Sequence, residues 1–80
     1  MSLEDELTEE IKKWTTKLDD ALSTAKARKD RGDKMLLNIR AYRKDSGHFL
    51  ECGDLIRSFE CLIWAWALLE VGKELGYLEA

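Results

Sequence analysis

The stretch from Glu51 to Leu78, ECGDLIRSFECLIWAWALLEVGKELGYL, constrains the fold of this chain more than any other. It opens on a Gly-Asp turn and continues as a helix that is apolar on nearly every side. Leu55, Phe59, Leu62, Ile63, Trp66 and Leu69 recur at three- and four-residue spacing and present one face, sufficient for the core of a small bundle. Cys61, Trp64, Leu68, Val71 and Leu75 present a second, opposite face that is also apolar. A helix hydrophobic almost all round is buried on more than one side. Either the other helices flank it, or its back face is covered by a second copy of the chain or by a partner protein.

Upstream lie two amphipathic helices that can fold against it. Leu7, Ile11, Trp14, Leu18, Ala21 and Ala25 alternate spacings of four and three, a heptad seam for lengthwise packing, with Trp14 read as core. Gly32 is suited to capping this helix and Asp33 to starting the next. Met35, Leu36, Ile39, Tyr42, Ser46, Phe49 and Leu50 continue the second helix, with Gly47 inside it at a cost of about 1 kcal/mol relative to Ala. Gly53-Asp54 repeats the stop-and-start chemistry, so the second and third helices are antiparallel neighbours. Phe49 should then lie near Ile56 to Phe59, and Tyr42 near Trp64 or Ala65. Gly76 should cap the third helix, with Tyr77 and Leu78 folding back. The expected fold is all-α, an antiparallel three-helix bundle with helices at about 4–31, 33–52 and 54–75 in one domain spanning residues 1–80; no strand pattern is visible.

Composition agrees with that reading. Of 80 residues 45% are hydrophobic and 36% charged, with no Pro and five Gly, so helix breakers are scarce and polar faces are ionic. Two cysteines are too few for a disulfide framework, and Cys52 and Cys61 stand too far apart along the hairpin to pair; both are read as buried small hydrophobes in a reducing cytosol. The acidic opening MSLEDELTEE shows no targeting signal, and the apolar run from Cys61 to Leu69 is far short of the roughly 20 residues that cross a bilayer. A cytoplasmic protein without a membrane partner is expected.

The net charge of −3 is unevenly spread: residues 26–50 carry eight bases and three acids, whereas both flanking segments are acidic. Lys26, Arg28, Lys29, Arg31 and Lys34 centre on the first connection, the one place where charge argues for an anion or nucleic acid. Without interleaved aromatics, the patch is more simply a solvated elbow whose bases complement the C-terminal dipole of the first helix.

The polar residues of the hairpin are the other candidates. Asp45 and His48 share one helical face, and hairpin pairing brings Glu60 and Cys61 toward them, a fragment of the carboxylate-x-x-His arrangement of metal sites in bundles. Such sites use two copies of that motif and only one is present, so no metal or cofactor is expected. Asp54 reads as a helix cap or, alternatively, a ligand contact at the turn. Glu70 falls among apolar residues, and if buried it needs a partner such as the Tyr42 hydroxyl, a Lys of the first helix or a ligand. With one His and no Ser set as a nucleophile, the chain is not expected to be an enzyme.

The run AYRKDSGHFLECGDLIRSFECLIWAWALLEVGKELGYL resembles the signature of the family known as domain of unknown function 357, small and mostly archaeal helical proteins. That pattern has Tyr and Asp before a Phe, then Gly-Asp, Ala-Phe-Glu, an aromatic-Ala pair, and Leu-Asp-Ala-Gly followed by Leu-Gly-Leu. It carries over as Tyr42, Asp45, Phe49, Gly53, Asp54, Phe59, Glu60, Trp64, Ala65, Gly72, Leu75 and Gly76. The family Ala before Phe-Glu is Ser58 here, and its Asp is Glu70, followed by Val71. The resemblance covers residues 41–78 and implies a three-helix fold in an archaeal cytosol, with no activity attached. The expected role is a non-enzymatic interaction module that self-associates or docks a protein through the third helix. The alternative is a small-ligand, metal or nucleic-acid binder using the hairpin carboxylates or the basic elbow.

Overall fold

Three helices and one minimal strand pair make up the fold of the described residues, and short side chains set how closely they meet. The computed structural model describes residues 2–80. Helix α1 spans Leu3–Thr24, α2 Asp30–Glu51 and α3 Leu55–Glu74, with strand β1 at Lys26–Ala27 and β2 at Leu78–Glu79. The helices run up, down and up in an elongated bundle of 43 × 19 × 17 Å.

Helix α1 begins at a capping box: the Ser2 hydroxyl accepts from the Asp5 N–H at 3.1 Å, and the Asp5 carboxylate accepts from the Ser2 N–H. Its seam buries Ile11, Leu18 and Leu22, with Leu7, Ala21 and Ala25 packed beside them. Trp14 departs from expectation, standing at the edge of the seam with 36% of its surface exposed.

The helix also ends seven residues earlier than expected. The hydroxyls of Ser23 and Thr24 donate back to the carbonyls of Asp20 and Ala21, and Ala25 turns extended at φ −68° and ψ 135°. The chain then pairs antiparallel with β2, Lys26 opposite Glu79 and Ala27 opposite Leu78, and the Arg28 N–H donates to the Tyr77 carbonyl at 2.9 Å. Strands of two residues have no periodicity to read, so no sequence pattern marks them. The basic residues consequently lie beyond α1, whose last turn carries none, and surround the start of α2 instead.

Gly32 and Asp33 therefore do not separate the first two helices. Helix α2 begins at Asp30 after Lys29, which makes no side-chain cap bond, and Gly32 lies buried in its first turn. The glycine is needed for space: a Cβ there would collide with the Tyr77 carbonyl oxygen and lie 3.1 Å from the Ala27 methyl. Gly32, Ile39 and Ser46, seven residues apart, form the buried line of α2.

Two of the later glycines cap helices as expected. Gly53 and Gly76 both adopt φ +78°. At each, the N–H of the following residue bonds back across the turn, Asp54 to Phe49 at 2.8 Å and Tyr77 to Gly72 at 2.9 Å, closing the helix in a Schellman motif. Asp54 then caps α3 by accepting from the Arg57 N–H at 3.1 Å.

Ser58, Leu62, Ala65, Leu69 and Gly72 form the buried line of α3, alternating small and large residues at spacings of four and three. This seam is rotated by less than one residue from the expected face, so Leu55, Phe59 and Trp66 are half-buried and Ile63 is 51% exposed. Small residues occupy the centre because α2 approaches closely there. Ser46 and Ser58, both buried, each donate a hydroxyl to the other's backbone carbonyl at 2.8 Å, with their oxygens 3.0 Å apart. The expected pairing of Tyr42 with Trp64 is present, the rings stacked 18° from parallel with centroids 6.3 Å apart.

Helix α3 is central. Helix α1 runs parallel to it, held by the Trp66 indole N–H donating to the Trp14 carbonyl at 3.3 Å. Long side chains span α1 to α2: Arg43 grips Asp19 in a two-pronged pair at 2.7 and 3.0 Å, and Arg40 reaches the Leu22 carbonyl at 3.4 Å. The hydrogen bond to Asp19 raises the Arg43 pKa against the opposing effect of burial. Among the described residues no buried side-chain polar atom lacks a hydrogen-bond partner.

Ala is the better helix former by about 1 kcal/mol, yet Gly32→Ala should destabilise the fold by about 1–3 kcal/mol, because its methyl opens the contact with Tyr77. Ser58→Ala should cost about 1 kcal/mol through the lost bond to Ser46. Urea unfolding followed by circular dichroism measures both; a stabilised Gly32→Ala would contradict the packing described.

Candidate functional site

Because small residues fill the seam of α3, its larger side chains are displaced to its flanks. Toward α1, Phe59, Leu62, Ile63 and Trp66 join Trp14 around an apolar cleft of about 220 Å³. Trp14 and Trp66 meet edge to face with centroids 5.7 Å apart. The Trp14 indole N–H donates to Glu10 at 2.9 Å, and the ammonium groups of Lys17 and Lys13 lie 4.6 and 5.5 Å from its ring centre. The ring is thereby fixed as one wall of the cleft.

Toward α2, Trp64 stacks on Tyr42 while remaining 58% exposed, and Leu68, Asn38, Ala41 and Asp45 complete a shallow, more polar cleft. Val71 and Leu75 continue the apolar strip toward the end of α3, 45% and 61% exposed, and Ile56 lies at its start. The exposed acids Glu60, Glu70 and Glu74 share the outward side. Of the expected interface residues, Trp64 and Val71 are open, whereas Cys61 and Leu68 are half-buried. The cleft beside Trp14 was not anticipated, because Phe59, Ile63 and Trp66 were all assigned to the core. Its signal was a helix more apolar than one seam requires.

The hairpin carboxylates do not assemble as a metal site: no group of three or more His, Cys, Asp or Glu side chains is arranged to hold an ion among the described residues. Asp54 is occupied by its cap and by a 3.0 Å ion pair with Arg57. Glu70 is exposed and lies 3.6 Å from Lys73, so it needs no buried partner. Asp45 and Glu60 act on Cys61, whose thiol pKa is raised chiefly by burial and further by these two charges. The polar contact of His48 is with Cys52, Nε2 lying 3.8 Å from Sγ. Cys52 is exposed, contrary to expectation, because it falls on the C-cap of α2 at the tip of the hairpin.

The basic elbow does gather at one end of the molecule, around Tyr77. Lys29 and Arg31 lie 5.9 Å from the centre of its ring, Arg28 pairs with Glu79 at 3.0 Å, and Lys26 and Lys34 are exposed. Asp30 and Asp33, in the first turn of α2, offset much of this charge.

A raised pKa leaves Cys61 less thiolate at neutral pH. Alkylation of the folded protein should therefore modify Cys52 before Cys61, and Asp45→Asn should speed the reaction at Cys61; mass-resolved labelling kinetics check both, and equal rates would contradict this placement.

The family model described as a protein of unknown function, DUF357, matches residues 13–78. The crystal structure of protein AF1782 from Archaeoglobus fulgidus, assigned to the same family model, is similar over 98% of this chain and 97% of that one, with 44% sequence identity and a TM-score of 0.89. No curated protein matches the chain.

Proposed function

The chain belongs to the DUF357 family of proteins of unknown function, and on that premise we propose that it is a non-enzymatic helical interaction module that self-associates through the exposed side of α3. The observation carrying this reading is the number of large apolar side chains left open along a central helix: Ile63, Trp64, Val71 and Leu75 each keep between 45% and 61% of their surface in contact with solvent. Burial of such surface is the main driving force of association, at about 25 cal/mol per Å² before the costs of ordering.

A second copy is a fitting occupant because the strip combines Trp and aliphatic residues with a formed apolar cleft, the anatomy of an interface centre. Glu60, Glu70 and Glu74 beside the strip, with Lys13 and Lys17 at the Trp14 wall, supply the polar rim. No helix among the described residues is long and apolar enough to cross a membrane. A cytoplasmic location belongs to the same proposal.

Light scattering and native mass spectrometry test it. The wild-type chain should be dimeric or larger, and Trp64→Glu, at a solvent-exposed position, should be a folded monomer. A wild-type chain that is monomeric at high micromolar concentration would remove self-association.

A further inference from the structure

His48 and Cys52 lie one helical turn apart at the C-terminal end of α2, both exposed, at the tip where α2 turns into α3. Their heteroatoms converge: His48 Nε2 and Cys52 Sγ are 3.8 Å apart. A tetrahedral zinc ion takes sulfur at about 2.3 Å and nitrogen at about 2.0–2.1 Å, so two of its ligands stand about 3.5 Å from each other. The pair is within a few tenths of an ångström of that edge, which a small side-chain rotation closes. A helix C-terminus also favours a cation through its dipole.

We propose that His48 and Cys52 form half of a zinc site, completed by the same two residues of a second copy to give a Cys2His2 tetrahedron. One chain supplies two ligands and a closed zinc site takes four. The tip position leaves both side chains open to such an approach. Binding through Nε2 places the imidazole proton on Nδ1, and each thiol gives its proton to solvent as its sulfur joins the metal. The two thiolates then balance the charge of the ion. Glu51, the neighbouring exposed carboxylate on each chain, adds attraction for it. The proposal is independent of association through α3, whose apolar strip lies along the side of the bundle.

Cobalt(II) is the probe, added to the reduced full-length protein, with native mass spectrometry in zinc run in parallel. A thiolate-to-cobalt charge-transfer band with strong visible bands should appear and saturate at one metal per two chains, and zinc should convert the Trp64→Glu chain from a monomer to a dimer carrying one ion. His48→Ala and Cys52→Ser should each weaken metal binding by more than about tenfold with the helical spectrum unchanged, since both side chains are exposed. Cys61→Ser and Trp64→Glu should leave it intact; the latter separates this site from the α3 interface. Absence of the charge-transfer band in the wild-type chain, its survival in Cys52→Ser, or saturation at one metal per chain would overturn the paired site.

Discussion

The close approach of α2 to α3 is the constraint on which the remaining structure depends. Ser46 and Ser58 make it possible, since each is small enough to let the backbones near and each answers the other's hydroxyl with a carbonyl at 2.8 Å. A pair of buried hydroxyls left unbonded would each cost about 1–3 kcal/mol, so the reciprocal arrangement turns a liability into a fixed register. Where the family pattern has Ala, this chain has Ser58; both are small, and here the extra oxygen is paired with Ser46. The same economy recurs at the opposite end, where Gly32 leaves room for the Tyr77 carbonyl and Gly72 for the side chain of Leu78. Leu78, 3% exposed, closes the core there, and the short strand pair holds it in place.

The parts of the fold legible in the sequence were those determined locally. Gly53 and Gly76 read correctly because a left-handed cap is a property of a few consecutive residues, and Asp54 reads as a cap for the same reason. Gly32-Asp33 has the same dipeptide chemistry but ends no helix, because its glycine answers a contact with Tyr77 some forty-five positions away in the chain. The β1–β2 pairing is equally non-local. Helical periodicity placed the apolar faces within less than one residue of rotation, and the error had one cause: large residues were given the centre of a seam that small ones occupy.

That error also hid the candidate interface. Assigning Ile63, Phe59 and Trp66 to the core left only the Trp64 side of α3 to explain, whereas the structure opens both flanks. The polar candidates were harder to place. A shared helical face for Asp45 and His48 was a sound inference from three-residue spacing, but side-chain direction favoured the four-residue pair, His48 with Cys52. The influence of Asp45 and Glu60 on Cys61 follows from hairpin register, which turn length sets to about one helical turn.

The division of α3 between a small-residue seam and large flanking residues has an energetic consequence. Ile11, Leu18, Ile39, Leu62 and Leu69 are essentially buried, each contributing about 1.5–3 kcal/mol relative to exposure. Ile63 and Trp64 keep more than half of their surface in water, so the monomer recovers less than half of what their burial offers. Their apolar area is therefore weakly coupled to the fold and strongly coupled to whatever covers it. A bundle of this size needs its core to be efficient, and filling the seam with Ser, Ala and Gly brings backbones together while moving aromatic mass outward. The interaction surface and the tight hairpin are two results of the same packing choice.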